Sequence, residues 1–154
     1  MKKRMISAAA ALLLICTAVC SCGSFSDPGI EAVAKAIEGT VGGYTKTESP
    51  IELPDGVEYA AFIRESAEIV PDVITVYRAE TAEEAEKIVS LCNDYLDILC
   101  DPGYITYVSA YDLTSAAKLQ SAEVFRVESY VVLCISDAAT VKNVKKAVNG
   151  ALHG

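Results

Sequence analysis

The sequence predicts an α+β domain in which two strand-strand-helix units form a four-stranded, mainly antiparallel sheet packed by helices, with one further helix at the N-terminal side. Two observations carry this. Short β-branched and aromatic runs come in pairs, at residues 59–64 with 73–77 and at 124–127 with 130–135, and each pair is followed by apolar residues at helical spacing. The second observation is size: the 154 residues, less an N-terminal export segment of 21, leave 133, enough for one domain and too few for two.

The elements follow in chain order. After Asp27-Pro28-Gly29, residues Ile30, Val33, Ala34, Ile37 and Val41 share one helical face, and Gly39, Gly42 and Gly43 help to end that helix. Residues 44–56 hold two prolines and no periodicity, and read as an irregular connection. The first strand of the first pair covers Tyr59 to Arg64, Pro71-Asp72 marks a turn, and Val73-Ile74-Thr75-Val76-Tyr77 is the second strand. Thr81 with Glu84 makes a capping box for a long helix whose apolar stripe is Ala85, Ile88, Val89, Cys92, Tyr95, Leu96 and Leu99. Pro102-Gly103 closes it, and Tyr104, Tyr107 and Tyr111 then stand three and four apart along one side of a short helix. Val124-Phe125-Arg126-Val127, the turn Glu128-Ser129 and the central strand Tyr130-Val131-Val132-Leu133-Cys134-Ile135 make the second pair. Asp137 caps a last helix carrying Val141, Val144 and Val148.

The N-terminus belongs to a different class of segment. Met1-Lys2-Lys3-Arg4 is followed by an uncharged apolar run from Met5 to Val19, shorter than the roughly 20 residues that span a bilayer core, and then by small residues. This is the pattern of an export signal. The order Val19-Cys20-Ser21-Cys22-Gly23-Ser24 resembles the lipobox of bacterial lipoprotein signal peptides: an aliphatic residue three before the modified cysteine, a small one immediately before it, and Gly or Ser after. Cys22 fits, whereas Cys16 and Cys20 are preceded by the branched Ile15 and Val19. The resemblance implies a diacylglyceryl group, and further acylation such as palmitate, on Cys22. Residues 1–21 are then a signal peptide, 22–29 a lipidated tether, and 30–152 a single α+β domain on the extracytoplasmic face of the cell membrane. An ordinary secretory signal is the competing reading.

Charge restricts the partners. Removing residues 1–21 leaves 10 basic against 21 acidic residues, a net −11, and the densest basic group is Lys142, Lys145 and Lys146. Nucleic acid and a polybasic lipid surface are therefore not expected partners. Of the remaining cysteines, Cys92 and Cys134 fall on apolar faces and, with Cys100, read as free thiols; neither a disulfide framework nor a zinc site has the spacing it needs. The one histidine, His153, lies at the C-terminal end, away from any nucleophile or carboxylate frame. Asp94, Asp97 and Asp101 form the tightest acidic set, but a helix does not wrap a cation, and a solvated face is expected. No catalytic residue, metal or cofactor is expected. Tyr104, Tyr107 and Tyr111 are read either as core packing or as a ligand or partner patch.

Two stretches, "DVITVYRAETAEEAEKI" and "SAEVFRVESYVVLCISD", resemble the lipoproteins of domain-of-unknown-function family 4358 from Gram-positive anaerobes. The first carries the strand, basic residue and acidic helix start of such proteins, and the second their hairpin ending in Ser-Asp. The chain departs from the family at Leu91-Cys92-Asn93-Asp94, where an Arg and a Gln are common, and at Glu128-Ser129, where Gly or Asn is usual. The resemblance implies fold and location and supplies no catalytic residue. The expected function is a membrane-anchored, non-catalytic binding or accessory module for an envelope protein or small ligand; the alternatives are a small carboxylate-based envelope enzyme and a purely structural envelope component.

Overall fold

The computed structural model describes residues 27–154. Helix α1 (Ile30–Glu38) is followed by strands β1 (Thr45–Thr47), β2 (Glu58–Arg64) and β3 (Asp72–Arg78), and by helices α2 (Ala82–Leu99), α3 (Pro102–Ser109) and α4 (Leu113–Ser121). Strands β4 (Glu123–Val127) and β5 (Tyr130–Ile135) and helix α5 (Ala138–His153) complete the chain. All neighbouring strands are antiparallel, in the order β1-β2-β3-β5-β4. The fold is thus α+β, with the second strands of the two strand-strand-helix units side by side at its centre.

Alternation along the strands divides the core in two. Ile74 and Val76 of β3 and Tyr130, Val132 and Cys134 of β5 pack with Val33 and Ile37 of α1 and Val141, Val144 and Val148 of α5. Val73, Tyr77, Val131, Leu133 and Ile135 turn the other way, onto Ala85, Ile88 and Cys92 of α2, Val108 of α3 and Leu119 of α4. Helices on both faces leave no polar side for the central strands, so β5 is buried at every position and its sequence is a continuous apolar run without a period of two.

The helix starts are set by side chains. Thr81 accepts from the Glu84 backbone N–H at 3.1 Å, and Glu84 in return accepts from the backbone N–H of Glu80 at 2.6 Å, one residue before the position a capping box predicts. Asp101, Asp112 and Asp137 cap α3, α4 and α5. Glu128 has φ 53°, so the two-residue hairpin turn holds a non-glycine residue in the left-handed region.

Three expectations need correction. The sheet has five strands, not four: Thr45–Thr47 pairs with Ala61, Phe62 and Ile63 inside what reads as an irregular connection. Three wholly exposed residues carry no alternation, and β1 is an edge strand too short to leave a pattern. Asp72 is not in a turn but opens β3, opposite Arg64. Residues 104–111 do not form one short helix: α3 ends at Ser109, Tyr111 lies beyond it, and α4 begins two residues later with little hydrophobic periodicity of its own.

Cys92 and Cys134 are both fully buried and free, and burial pushes each thiol up to about 12. At neutral pH a thiol-labelling reagent is expected to modify these two at least about a hundredfold more slowly in the native protein than in denaturant, with half-buried Cys100 reacting first. Equal native and denatured rates, read by mass spectrometry of the labelled peptides, would contradict the burial.

Candidate functional site

The register of the strands places four polar residues in one row at the end of the sheet. Arg64 and Asp72 are direct partners, and one step beyond the last pairs of the neighbouring ladders stand Tyr44 beside Arg64 and Ser136 beside Asp72. Asp72 is 1 % exposed. Its Oδ2 accepts from Arg64 Nε and Nη2, both at 3.1 Å, and from Lys118 Nζ at 2.9 Å, while Oδ1 accepts from Ser136 Oγ at 2.5 Å. The Arg64 guanidinium lies 4.9 Å from the centre of the Tyr44 ring, and the Tyr44 hydroxyl reaches Ser136 Oγ at 3.3 Å.

Lys118 enters this row from α4. It is 3 % exposed, and its ammonium also donates to Glu68 Oε2 and to the Val70 carbonyl at 3.3 Å. Burial raises the Asp72 carboxyl, but hydrogen bonds from Ser136, Lys118 and Arg64 outweigh it and hold the group below the usual carboxylate range. Burial likewise depresses Lys118, and Glu68 and Asp72 overcome that, so the ammonium stays charged. Chemically this is a closed, charge-compensated cluster. Both oxygens of Asp72 are occupied by cations or hydroxyls, which suits a structural clamp and not a general base.

The same helix ties the β2–β3 connection to a surface corner. Ser115 Oγ accepts from the Val70 backbone N–H at 2.9 Å and donates to Asp112 Oδ2 at 2.5 Å, which also accepts from the Ile69 backbone N–H at 2.9 Å. The hydrogen bond from Ser115 Oγ, with the backbone N–H groups of Ser115, Ile69 and Thr114, draws the Asp112 carboxyl down to about 2. Around Asp112 the surface is apolar. Tyr107, Tyr111 and Leu113 are 60, 73 and 76 % exposed, Ile69 is 47 % and Tyr104 36 % exposed. The Tyr107 and Tyr111 rings lie 5.2 Å apart at 53°. Ile105 and Val108, at neighbouring positions of α3, pack into the core. Tyr104, Tyr107 and Tyr111 therefore form an outward patch and not core packing.

The other expected site residues lie elsewhere. Cys22 and residues 1–21, the expected export signal, fall outside the described residues. Asp101 is the cap of α3, accepting from Gly103 and Tyr104 N–H, while Asp94 and Asp97 are exposed on α2. Among the described residues no group of three or more His, Cys, Asp or Glu side chains is placed to hold a metal ion, and no helix is long and apolar enough to cross a membrane. His153 is the last residue of α5. A half-open groove of about 500 Å³ lies between α1 and β1–β2, lined by Ile30, Ala34, Lys35, Lys46, Thr47 and Ala60. No family model matches the chain, and neither a curated protein nor a solved structure matches it.

The ion cluster makes two expectations. Lys118→Met, which leaves Asp72 buried with one cation fewer, should lower unfolding free energy by about 3 kcal/mol in denaturant titration, and the double variant Lys118→Met with Asp72→Asn should recover part of that. A loss below about 1 kcal/mol would mean that Arg64 alone satisfies the carboxylate. Asp72, Asp112 and Asp137 all have folded-state values below their ordinary 3.8. Groups of that sign contribute stability above pH 4 and lose it as the pH falls through their folded-state values. Stability measured by urea titration at several pH values should hold above pH ~5 and drop steeply between ~4 and ~2, less steeply in Asp72→Asn.

Proposed function

We propose that the chain is a membrane-anchored extracytoplasmic lipoprotein, a non-catalytic binding or accessory module held to the bilayer by acyl chains on Cys22. The observation that carries the binding role is the patch of Tyr107, Tyr111 and Leu113, exposed on a corner whose backbone is fixed from beneath. A charged, flexible surface would serve solubility; rigid exposed aromatics serve contact. The enzyme alternative is less well supported. The two acidic residues that Lys118 brings together, Glu68 and Asp72, share its ammonium instead of flanking an open cleft. The anchor rests on Val19-Ser21-Cys22-Gly23, and the likeness to the lipoproteins of domain-of-unknown-function family 4358 on the two quoted stretches.

The proposed tether, residues 22–29, has a fixed point near its end. Asp27 is held to the sheet: Arg78 donates to its Oδ2 through Nε at 2.8 Å, the Tyr130 hydroxyl and the Gly29 N–H donate to its Oδ1, and Arg78 also pairs with Glu58. Five Cα steps separate Cys22 from Asp27, which covers at most about 17 Å. With a net −11 the domain is repelled by anionic lipid within about a Debye length of 8 Å, so attachment falls to the acyl chains, two of which are needed for stable binding. In Cys22→Ser the protein should move from the membrane pellet to the soluble or secreted fraction. Retention of Cys22→Ser in washed membranes would overturn the lipid anchor.

A further inference from the structure

We infer that the corner formed by α3, α4 and the β2–β3 connection is the docking surface for a partner protein that presents an apolar socket rimmed by lysine or arginine, and that it points away from the bilayer. The direction rests on the proposed Cys22 anchor; the surface itself rests on the structure. Strand β3 runs from Asp72 to Arg78, six steps and about 20 Å. Arg78 binds Asp27, the point at which the tether joins the domain. Asp72 binds Lys118 of α4, whose first turn carries Leu113 and whose cap is flanked by Tyr111. Tether and aromatic corner thus lie at opposite ends of one strand. A tether of about 17 Å keeps the near end close to the bilayer, and repulsion of the acidic domain by anionic lipid favours the arrangement in which the far end, with the apolar corner, points outward.

Charge selects among the remaining occupants. Residues 102–122 contain only two charged side chains, Asp112 and Lys118. Asp112 is spent on capping α4 and holding Ile69, and Lys118 is buried. The exposed part of this stretch therefore carries a single charge, the half-buried Asp112 carboxylate, in a chain of which 22 % is charged, the depletion that marks the centre of a protein contact. The border is acidic. Arg64 is paired with Asp72 and Glu65 stays exposed, while residues 88–117, which lead into and through α3, hold Asp94, Asp97, Asp101 and Asp112 and no lysine or arginine. A second copy would bring −11 against −11 and the same acidic border. A cationic rim around an apolar socket complements both features.

The test uses the full-length protein in its native membranes, with a photoreactive phenylalanine replacing Tyr107 or Tyr111 and, as a control, Lys146 on α5. Cross-linked peptides are mapped by mass spectrometry. Both tyrosine positions should yield the same partner segment, apolar and flanked by Lys or Arg, with the Lys146 probe giving none of it. The yield at Tyr107 should fall at least about tenfold with Tyr111→Ser and Leu113→Ser together, and severalfold when salt rises from 0.1 to 0.5 M. All three positions are exposed, so the thermal midpoint of the serine variant should stay within about 2 °C. Adducts to lipid, to a second copy of this chain, to scattered unrelated segments, or no adduct at either tyrosine would overturn the docking surface. Fractionation of Cys22→Ser is read separately: release from the membrane with the same partner segment still captured supports both readings. Retention with capture leaves the surface standing and removes the anchor.

Discussion

A carboxylate that is 1 % exposed at the end of a central strand stays ionised only if cations reach it, and Asp72 draws two, one from the neighbouring strand and one from a helix. The requirement orders the fold around it. A one-residue slip between β2 and β3 would set Arg64 against Val73 and turn its guanidinium to the other face, leaving Asp72 without its strand partner. Ser136 imposes the same condition on β5, one step past Ile135. The apolar pattern alone admits sliding of two β-branched strands that are buried on both faces. The ion cluster removes that freedom, at the cost of desolvating a carboxylate and an ammonium.

The two ends of β3 serve different purposes through the same chemistry. At one end Arg78 bridges Asp27 and Glu58 in a setting where solvent reaches the partners, so this pair holds the entering chain in place and adds little to stability. At the other, Arg64 and Lys118 converge on a carboxylate that solvent does not reach. Hydrogen bonding of Asp27 to Tyr130, a residue whose ring is wholly buried under α1 and α5, carries the position of the chain entry into the core. The N-terminal stretch is thus fixed to the sheet before α1 begins.

Much of the fold was legible in the sequence because it depends on local patterns. The capping residues Thr81 and Asp137, the stripe through Ala85, Ile88, Cys92 and Leu96, and the apolar run at 130–135 all appear as read. The ion cluster was not legible, since Arg64, Asp72 and Lys118 are separated by up to 54 positions and meet only through strand register and the docking of α4. Asp72 after Pro71 looks like a turn residue, and Lys118 looks like a solvated helix lysine. One signal was present: residues 102–122 hold a single lysine, and a lone cation in an otherwise uncharged helix has few uses besides a buried partner. The tyrosine spacing reads as one side of a single short helix, but α3 ends before Tyr111, and spacing alone does not say whether a side faces in or out. The exposure of Tyr107 and Tyr111 themselves decides it.

The buried cluster and the exposed corner are mechanically one object. Ser115 and Lys118 lie on the same helix, three residues apart and so on the same side; one holds the Val70 N–H and the other the Val70 carbonyl. Asp112, at the head of that helix, holds Ile69. Three consecutive contacts therefore clamp the β2–β3 connection to α4, and Tyr111 and Leu113 project from either side of the clamping residue. Exposed aromatic side chains on a loose loop would lose backbone and side-chain freedom on contact, a cost of about 1–2 kcal/mol for each backbone residue fixed. Here the backbone part of that ordering is already made in the free domain, because desolvated Asp72 requires Lys118 where it is. The charge burial that makes the sheet end expensive is also what leaves the aromatic corner rigid and ready for contact.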